Sequence, residues 1–256
     1  MTTIQDFSGR TALVTGAASG IGAACAKALA ARGAAKLILV DVDEAGIKAL
    51  NLPCEVQTIT GSVADAALWG ELEDHLSSAG ETLDHAVVNA GIGAGGTIDQ
   101  LSMADWRRVM DVNLDGAFLT LSTALRSMPE SGGSIVVVAS TTGLKPVPGV
   151  GPYGISKAAV AHMARIAAAE NAAKNIRVNA IAPGGVDTAI WEGSPEFLAA
   201  VEKHGRAAAI KGMATTTPNG RFASSDEMAD SILYLMSDAA SNITGTVLVS
   251  DGGFTL

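Results

Sequence analysis

Tyr153 and Lys157 are the residues of this sequence whose types and spacing most directly suggest chemistry. They lie four positions apart at the start of an Ala-rich stretch, so a helix would place them on one face, about one turn apart. A free phenol has a pKa near ~10, and a nearby ammonium group favours the phenolate and lowers that value. The pair therefore predicts a tyrosine that serves as a general base, although such a pair alone more often decorates a solvated helix turn.

Two further polar residues occupy positions where a sheet edge could bring them to this pair. A β-branched run ends at Ser140, and a Gly/Pro-rich loop then leads to the helix of Tyr153. Because open α/β sheets bind ligands beyond the carboxyl ends of their strands, the Ser140 hydroxyl could bond a substrate oxygen beside the tyrosine. Asn113 falls inside a long helical pattern, where asparagine is unfavourable because its amide competes with the backbone. Asn113 is either functional or a solvent-facing residue.

Short apolar strands alternate with helical patterns along the chain. This alternation is typical of a parallel sheet covered by helices on both faces, and it predicts one α/β domain over residues 1–256. The predicted strands are Thr11–Thr15, Lys36–Asp41, Glu55–Thr60, Leu83–Asn89, Ser134–Ser140, Ile176–Ile181 and Thr246–Val249. The predicted helices are one ending at about Arg32, then Asp43–Asn51, Ala64–Ser78, Met103–Met128, Gly151–Lys174, Pro195–Lys211 and Ser225–Ser237.

The first strand runs into a glycine-rich turn with glycines at 16, 20 and 22. Such a turn permits close backbone approach, and the helix that follows offers N–H groups and a positive dipole end to a diphosphate; the alternative is an ordinary strand-to-helix turn. Asp41 closes the second strand nineteen residues after Gly22, where it could accept hydrogen bonds from an adenosine ribose. No Arg or Lys in the turn or just after Asp41 could neutralise a 2′-phosphate, so the sequence favours NAD over NADP.

Composition excludes several classes of function. The 256 residues carry a net charge of −9 without a basic stripe, which argues against binding to nucleic acid or to an anionic membrane. Two cysteines and four scattered histidines predict neither a disulfide framework nor a metal site. The first ten residues lack the basic start and apolar core of a leader, and no apolar run reaches the ~18 residues of a membrane span. We therefore expect a cytoplasmic protein.

In their order and spacing, these motifs resemble those of the short-chain dehydrogenase/reductase family, in its compact form of about 250 residues. The resemblance extends from Thr11 to Gly253. It rests on the glycine turn Thr15–Gly22, Asn89–Gly91, the set Asn113, Ser140, Tyr153 and Lys157, the Pro183–Thr188 segment, Ser237–Gly245 and Asp251–Gly253.

The resemblance implies a three-layer Rossmann fold, with a doubly wound seven-stranded parallel sheet, and a nicotinamide cofactor. Asn113, Ser140, Tyr153 and Lys157 match the catalytic tetrad of the family. Tyr153 would exchange the proton of a substrate hydroxyl, and Lys157 would lower the pKa of that tyrosine and hold the nicotinamide ribose. Ser140 would orient the substrate oxygen, and Asn113 would bind a water that links Lys157 to solvent. The family also implies a homotetramer.

The cofactor residues expected from these motifs are Gly16, Ser19, Gly20, Ile21, Asp41, Ser62, Val63, Asn89, Ala90, Gly91, Tyr153, Lys157, Pro183, Gly184, Val186 and Thr188. One position departs from the family pattern. Ser62 stands where many members place an Asp that reaches the adenine amine, and Asp65 is the acid that could replace it.

Three segments around the tyrosine should shape the substrate pocket: Gly91–Thr97, Thr141–Val150 and a lid at about residues 185–220. The expected substrate contacts are Ser140, Thr142, Val147, Tyr153 and Trp191. Arg and Lys are sparse in these segments, which favours a neutral, moderately apolar secondary alcohol and its ketone. The alternatives are an NADPH-dependent carbonyl reductase of the 3-oxoacyl type and a catalytically silent sensor that binds nicotinamide.

Overall fold

The computed structural model describes residues 6–93 and 95–256. Residues 1–5, part of the segment that led us to expect no leader, and Ala94, in the first predicted substrate segment, lie outside this description. At its centre is a parallel sheet of seven strands in the order β3-β2-β1-β4-β5-β6-β7. The strands are β1 Thr11–Thr15, β2 Lys36–Asp41, β3 Glu55–Thr60, β4 His85–Val88, β5 Gly133–Val138, β6 Ile176–Pro183 and β7 Val247–Ser250.

Helices cover both faces of this sheet, which confirms the predicted three-layer Rossmann fold. They are α1 Gly20–Ala31, α2 Glu44–Ala49, α3 Ala66–Ala79, α4 Met103–Met110, α5 Gly116–Arg126, α6 Gly151–Asn171, α7 Pro195–His204, α8 Arg206–Met213 and α9 Ser225–Met236. Within the described ranges, no helix is both long and apolar enough to cross a bilayer.

Successive residues of the central strands feed two separate cores, because side chains alternate across a strand. On β1, Leu13 packs with α3, α5 and α6 on one face, whereas Val14 packs with α1 and α9 on the other. Ile38 and Leu39 divide in the same way on β2. Burial on both faces explains why these strands are continuous apolar runs in the sequence.

Two predicted helices prove to be interrupted, so both predictions were wrong as single elements. The Met103–Met128 pattern divides into α4 and α5, which are joined by a π-helical turn at Asp111–Asp115. The Pro195–Lys211 pattern divides at Gly205, whose φ of +79° cannot continue a helix and favours glycine. Both interruptions lie in segments that border the site described below.

The order of the strands fixes where a ligand can bind. The chain builds outward from β1 to β3 and then returns to place β4 on the other side of β1. In open α/β sheets the crevice at such a reversal, beyond the carboxyl ends of the strands, is the usual ligand site. Gly16 and Asn89 directly follow β1 and β4 there, and Ser140 lies two residues beyond β5.

Candidate active site

Side chains and backbone join the ends of β1 and β4 into one rigid edge. The Asn89 amide donates to the Thr15 carbonyl oxygen over 2.9 Å. In return, the backbone N–H groups of Asn89 and Ala90 donate to the Thr15 hydroxyl oxygen over 3.0 and 3.1 Å. Asn89 and Ala90 therefore fix the floor of the crevice at the reversal of strand order.

The glycine turn forms a backbone cradle that fits a diphosphate. Gly16 has a φ of +64°, and a Cβ atom on Gly22 would collide with the Gly16 carbonyl oxygen. Only glycine at position 22 therefore allows α1 to approach the turn this closely. Ser19 is the N-cap of α1, yet its side chain makes no capping hydrogen bond. The first N–H groups of α1 are thus left without a side-chain acceptor, which suits an anionic group at the positive end of the helix. Ile21 lies in this first turn.

Asp41 supports the glycine turn from the end of β2. One carboxylate oxygen accepts the Ala18 N–H over 2.9 Å, and the other accepts the Asp43 N–H over 3.0 Å. Each carboxylate oxygen has a second lone pair, so Asp41 retains the capacity to accept hydrogen bonds from a ribose diol. The residue both shapes the turn and places negative charge beside it.

The segment after β3 gives its polar residues local roles. The Ser62 hydroxyl accepts the Ala64 N–H over 3.2 Å, and Val63 is buried against Gly116 of α5. Asp65 caps α3 by accepting the Ala67 N–H over 3.0 Å. Asp65 therefore has a structural reason to be acidic, independent of adenine.

Tyr153, Lys157 and Ser140 meet at the carboxyl edge of β5. Tyr153 and Lys157 lie one turn apart on α6, and the Lys157 Nζ is 5.8 Å from the centroid of the tyrosine ring. Lys157 is only 5% exposed, and its Nζ donates to the Val138 carbonyl oxygen, at the end of β5, over 2.7 Å. Ser140 is 7% exposed and accepts hydrogen bonds from the Thr142 N–H and hydroxyl over 3.2 and 3.0 Å.

Burial controls the protonation of this group. It lowers the pKa of Lys157 to about 8, because an ammonium group loses its hydration in the interior. Burial raises the pKa of Tyr153, and a hydrogen bond with the Ser140 side chain acts in the opposite direction. The expected lowering of the Tyr153 pKa by Lys157 is therefore not found in the chain by itself, where desolvation dominates and the ammonium group is bonded to Val138.

Asn113 lies in the π-helical turn and is 1% exposed, which excludes the solvent-facing alternative. Its amide pairs with the backbone of Ile92: Oδ1 accepts the Ile92 N–H over 2.8 Å, and Nδ2 donates to the Ile92 carbonyl oxygen over 3.0 Å. A Cβ atom on Gly91 would lie 3.3 Å from the Asn113 Oδ1 and 3.4 Å from the Lys157 Nζ. Asn113 and Lys157 thus face the same glycine in the loop after β4.

The remaining predicted cofactor residues lie at the end of β6 and in the segment after it. Pro183 is the last residue of β6, and the Gly184 N–H donates to the Ser250 carbonyl oxygen over 3.0 Å. Val186 is buried. The Thr188 methyl group lies 3.1 Å from the position of a Cβ atom on Gly20, so this segment borders the glycine turn. Thr188 and Gly20 both line an open groove of about 550 Å³.

The predicted substrate residues have different environments in the structure. Thr142 contacts Ser140 directly, and Val147 is partly buried in the loop before α6. Trp191 stacks on Phe222 with ring centroids 5.4 Å apart, and its indole N–H donates to the Val186 carbonyl oxygen over 2.7 Å. These two contacts hold the start of the predicted lid, and neither is with a residue of the tetrad.

Several members of the site were missed by reasoning from the sequence. The carbonyl groups of Val138 and Ile92 are backbone groups, which carry no signal in residue type. Ser156 accepts from the Asn113 Nδ2 over 3.3 Å and lies three residues after Tyr153, so its place on α6 was a usable signal. Arg206 of α8 donates to the Thr188 carbonyl oxygen. From the sequence it is only one of the few positive residues of the predicted substrate segments.

Comparisons with known proteins agree with this geometry. A family model described as "Enoyl-(Acyl carrier protein) reductase" matches residues 16–255. The cis-4-hydroxycyclohexanecarboxylate dehydrogenase of Sinomonas cyclohexanicum is 40% identical, over 98% of this chain and 98% of its own. The 3beta-hydroxysteroid dehydrogenase of Mediterraneibacter gnavus is 35% identical, over 97% of this chain and 96% of its own.

A solved structure gives the same result. The crystal structure of a short-chain type dehydrogenase/reductase from Mycobacterium marinum superposes with a TM-score of 0.86 at 30% identity, and 98% of each chain is covered. Family model, relatives and structure all extend over nearly the whole length of the chain. The protein therefore belongs to the short-chain dehydrogenase/reductase family and is an oxidoreductase of the NAD(P)-dependent kind.

Proposed function

We propose that this protein is an NAD-dependent dehydrogenase of a neutral, moderately apolar secondary alcohol, and a reductase of the corresponding ketone. The observation that carries the proposal is the group of partly buried Tyr153 with buried Ser140 and Lys157, beside a glycine cradle. A phenol and a hydroxyl at one point can together bind the oxygen of an alcohol or a carbonyl group. Residues 185–220 would act as a lid over that oxygen.

The proton chemistry follows from the environment of each group. The bound nicotinamide would supply or accept the hydride. Tyr153 takes the proton of the substrate hydroxyl in oxidation and returns it in reduction, while Ser140 donates a hydrogen bond to the same oxygen. Because burial raises the pKa of Tyr153, the phenolate needs a nearby cation, and the ammonium group of Lys157 is the one on the same helix face. Asn113 fixes the loop at Ile92 and faces Lys157 across Gly91.

The preference for NAD is inferred from charge at the end of β2. The Asp41 carboxylate, held by the Ala18 and Asp43 N–H groups, would accept hydrogen bonds from the ribose hydroxyls of NAD. A 2′-phosphate would meet this carboxylate with Asp43 and Glu44 close by in the chain. The same argument counts against the NADPH-dependent 3-oxoacyl reductase as the alternative.

Apolar side chains favour a substrate without charge. Leu144 is 43% exposed and Val147 partly buried in the loop that leads to Tyr153, and Ile190 of the lid lies 3.3 Å from the position of a Cβ atom on Gly93. Two of the relatives are named for hydroxyl groups on carbon rings, a steroid and a cyclohexane that also carries a carboxylate, so their names support the ring and not the absence of charge. A ring-borne secondary alcohol is accordingly the first class to test.

The proposal extends to a homotetramer. Three large apolar side chains on α5 and α6 face solvent in the single chain: Phe118 is 55% exposed, Ile155 41% and Ile166 47%. Burial of these apolar side chains against another subunit would be favourable. Light scattering on the purified protein measures the mass directly.

The decisive experiment is an assay by nicotinamide absorbance with cyclic and acyclic secondary alcohols, with NAD and NADP in parallel. We expect turnover with NAD, and a loss of roughly 10²–10⁴-fold in kcat in Tyr153→Phe, because the variant has no proton to exchange. NADH binding to Tyr153→Phe serves as the control that the cofactor site is intact. Preference for NADP would contradict the role of Asp41, and NADH binding without turnover of any alcohol would favour the sensor.

A further inference from the structure

Arg206 connects the two ends of the interrupted lid. It is the first residue of α8, directly after Gly205, and its side chain folds back toward the segment before α7. One guanidinium nitrogen donates to an Asp187 carboxylate oxygen over 2.7 Å and to the Thr188 carbonyl oxygen over 3.1 Å. The other donates to a Glu192 carboxylate oxygen over 3.1 Å. One side chain thus holds three acceptors within six residues of chain.

The packing below Arg206 makes this arrangement firm. The guanidinium carbon lies 5.5 Å from the ring centroid of Phe197, which is 3% exposed on α7. Arg206 therefore joins α7, α8 and the 187–192 turn at one point. Because planar guanidinium groups bond several acceptors at fixed angles, the contact specifies a position as well as a charge.

The turn that Arg206 holds borders the glycine cradle. Thr188 is bonded to Arg206 through its carbonyl oxygen, and its methyl group lies against Gly20. Arg206, Asp187, Thr188 and Gly20 all line the same open groove of about 550 Å³. Any movement of the 187–192 turn would consequently open or close the groove beside the first turn of α1.

Charge balance argues that Arg206 positions the turn and does not attract phosphate. Asp187 and Glu192 each form an ion pair with the guanidinium group, at 2.7 and 3.1 Å. Two carboxylates beside one cation leave this cluster with a net negative charge, which opposes an anionic ligand. The contact is suited to closing the lid against the body of the protein.

We propose that Arg206 is a positioning residue that latches the 187–192 turn over the glycine cradle, and that opening of this latch sets the rate at which the nicotinamide cofactor leaves. The proposal rests on the proposed function in one respect, because it takes the cradle as the cofactor site. Its structural part, the latch itself, stands on the contacts of the chain alone and is tested without cofactor.

Hydrogen exchange in the cofactor-free protein tests the latch. In Arg206→Met, amides of residues 187–193 should exchange roughly fivefold to tenfold faster, because a partly exposed network of ion pairs contributes on this order. Arg206→Lys should restore only part of the protection, since an ammonium group cannot reproduce the guanidinium fork. The matched control is Arg126→Met, which also removes an arginine paired with a carboxylate, that of Glu73, and whose hydrogen bonds go to residues of α3 and α5. Unchanged exchange of residues 187–193 in Arg206→Met would overturn the proposal.

The rate of NADH release, followed by stopped-flow fluorescence, tests the consequence. The latch predicts faster release by roughly fivefold to tenfold in Arg206→Met, and a smaller increase in Asp187→Asn, because the first removes the contact and the second removes only its ion pair. Direct attraction of the diphosphate by Arg206 predicts the opposite sign for Asp187→Asn, since loss of a negative charge would slow release; that result would overturn the proposal. If the wild-type protein did not bind NADH, the proposed function would fail, and hydrogen exchange would still decide whether the latch exists.

Discussion

Two cations, one buried and one half-buried, lie at opposite edges of the same sheet, and they are held in very different ways. Lys157 lies at the carboxyl edge and donates to a single backbone carbonyl group, that of Val138. Arg177 lies near the amino end of β6 and donates to four, those of Leu235, Met236, Ser237 and Ile243. Burial lowers the pKa of both side chains.

The number of acceptors decides what each cation contributes. Arg177 satisfies carbonyl groups at the carboxyl end of α9, where a cation is favourable, and its charge is useful to the fold. Lys157 has one acceptor for its three N–H donors, so most of its hydration is not replaced, and its charge costs stability. One cation stabilises the fold, and the other is retained at a cost beside Tyr153.

The largest expected effect is the loss of activity in Lys157→Met. Removal of the cation should lower kcat by roughly 10²–10⁴-fold, because no ammonium group is then left on the helix face to favour the phenolate of Tyr153, which burial opposes. At the same time we expect the variant to be more stable than the wild type at pH 7, by about 1 kcal/mol, since the penalty of burying the charge exceeds the loss of one hydrogen bond.

The pH dependence of that stability difference sharpens the comparison. The folded-state pKa of Lys157, about 8, lies below its ordinary value of 10.5, so the folded protein loses this proton before the unfolded chain does. The penalty is complete below pH 8 and disappears as the pH rises toward 10.5. Denaturant unfolding of both proteins between pH 7 and pH 10 measures it. A variant less stable than the wild type at pH 7 would contradict the assignment of Lys157 as a costly cation.

Arg177→Met should have the reverse effect. It leaves four carbonyl groups, three of them at the end of α9, with fewer donors, and we expect a loss of about 2–4 kcal/mol in the free energy of unfolding. Activity per folded molecule should stay near that of the wild type, because Arg177 contacts no residue of the tetrad. Urea unfolding measures the stability, and an assay at low temperature measures the activity of the folded protein. A fall in kcat without a fall in stability would break the contrast between the edges.

The smallest effect concerns His85, which is also at the amino edge. Its Nδ1 lies 2.7 Å from the Ser134 hydroxyl, and burial lowers its pKa from 6.5 to about 4. The unfolded chain therefore binds this proton at a higher pH than the folded protein, and stability falls as the pH drops from 6.5 to 4. His85→Asn should reduce the loss of stability between pH 8 and pH 5 by about 1–2 kcal/mol. His75→Asn, at an exposed site on α3, is the control and should leave the loss unchanged.

The parts of the molecule that the sequence predicted are those where residue type is itself the constraint. The parallel sheet follows from apolar strands such as β1, and the close approach of Gly22 to Gly16 admits no other residue. Tyr153 and Lys157 were predicted to share a helix face because a helix has 3.6 residues per turn. The position of Asp41 at the end of β2 also follows directly from its strand.

Other features escaped prediction because they depend on backbone groups or on tertiary contacts. The Val138 carbonyl group, which accepts the hydrogen bond of Lys157, belongs to the backbone, and any residue at this position would provide it. The burial that raises the pKa of Tyr153 is a property of the folded chain and not of the residue type. Likewise, the contacts of Trp191 with Phe222 and Val186 depend on how the segment after β6 folds, which residue type alone does not predict.

The π-helical turn at Asp111–Asp115 makes the helix pair around it sensitive to chain length. A π turn contains one residue more than the α-helical turn it replaces, and each residue of an α-helix advances the side chains by about 100°. Deletion of a single residue here would therefore either rotate Asn113 away from Ile92 or turn α5, with Leu121 and Ala124, out of the core. The other positions of this stretch can therefore accept substitutions, whereas an insertion or a deletion would disrupt the helix pair. The length of the chain between Met110 and Gly116 is itself part of the site.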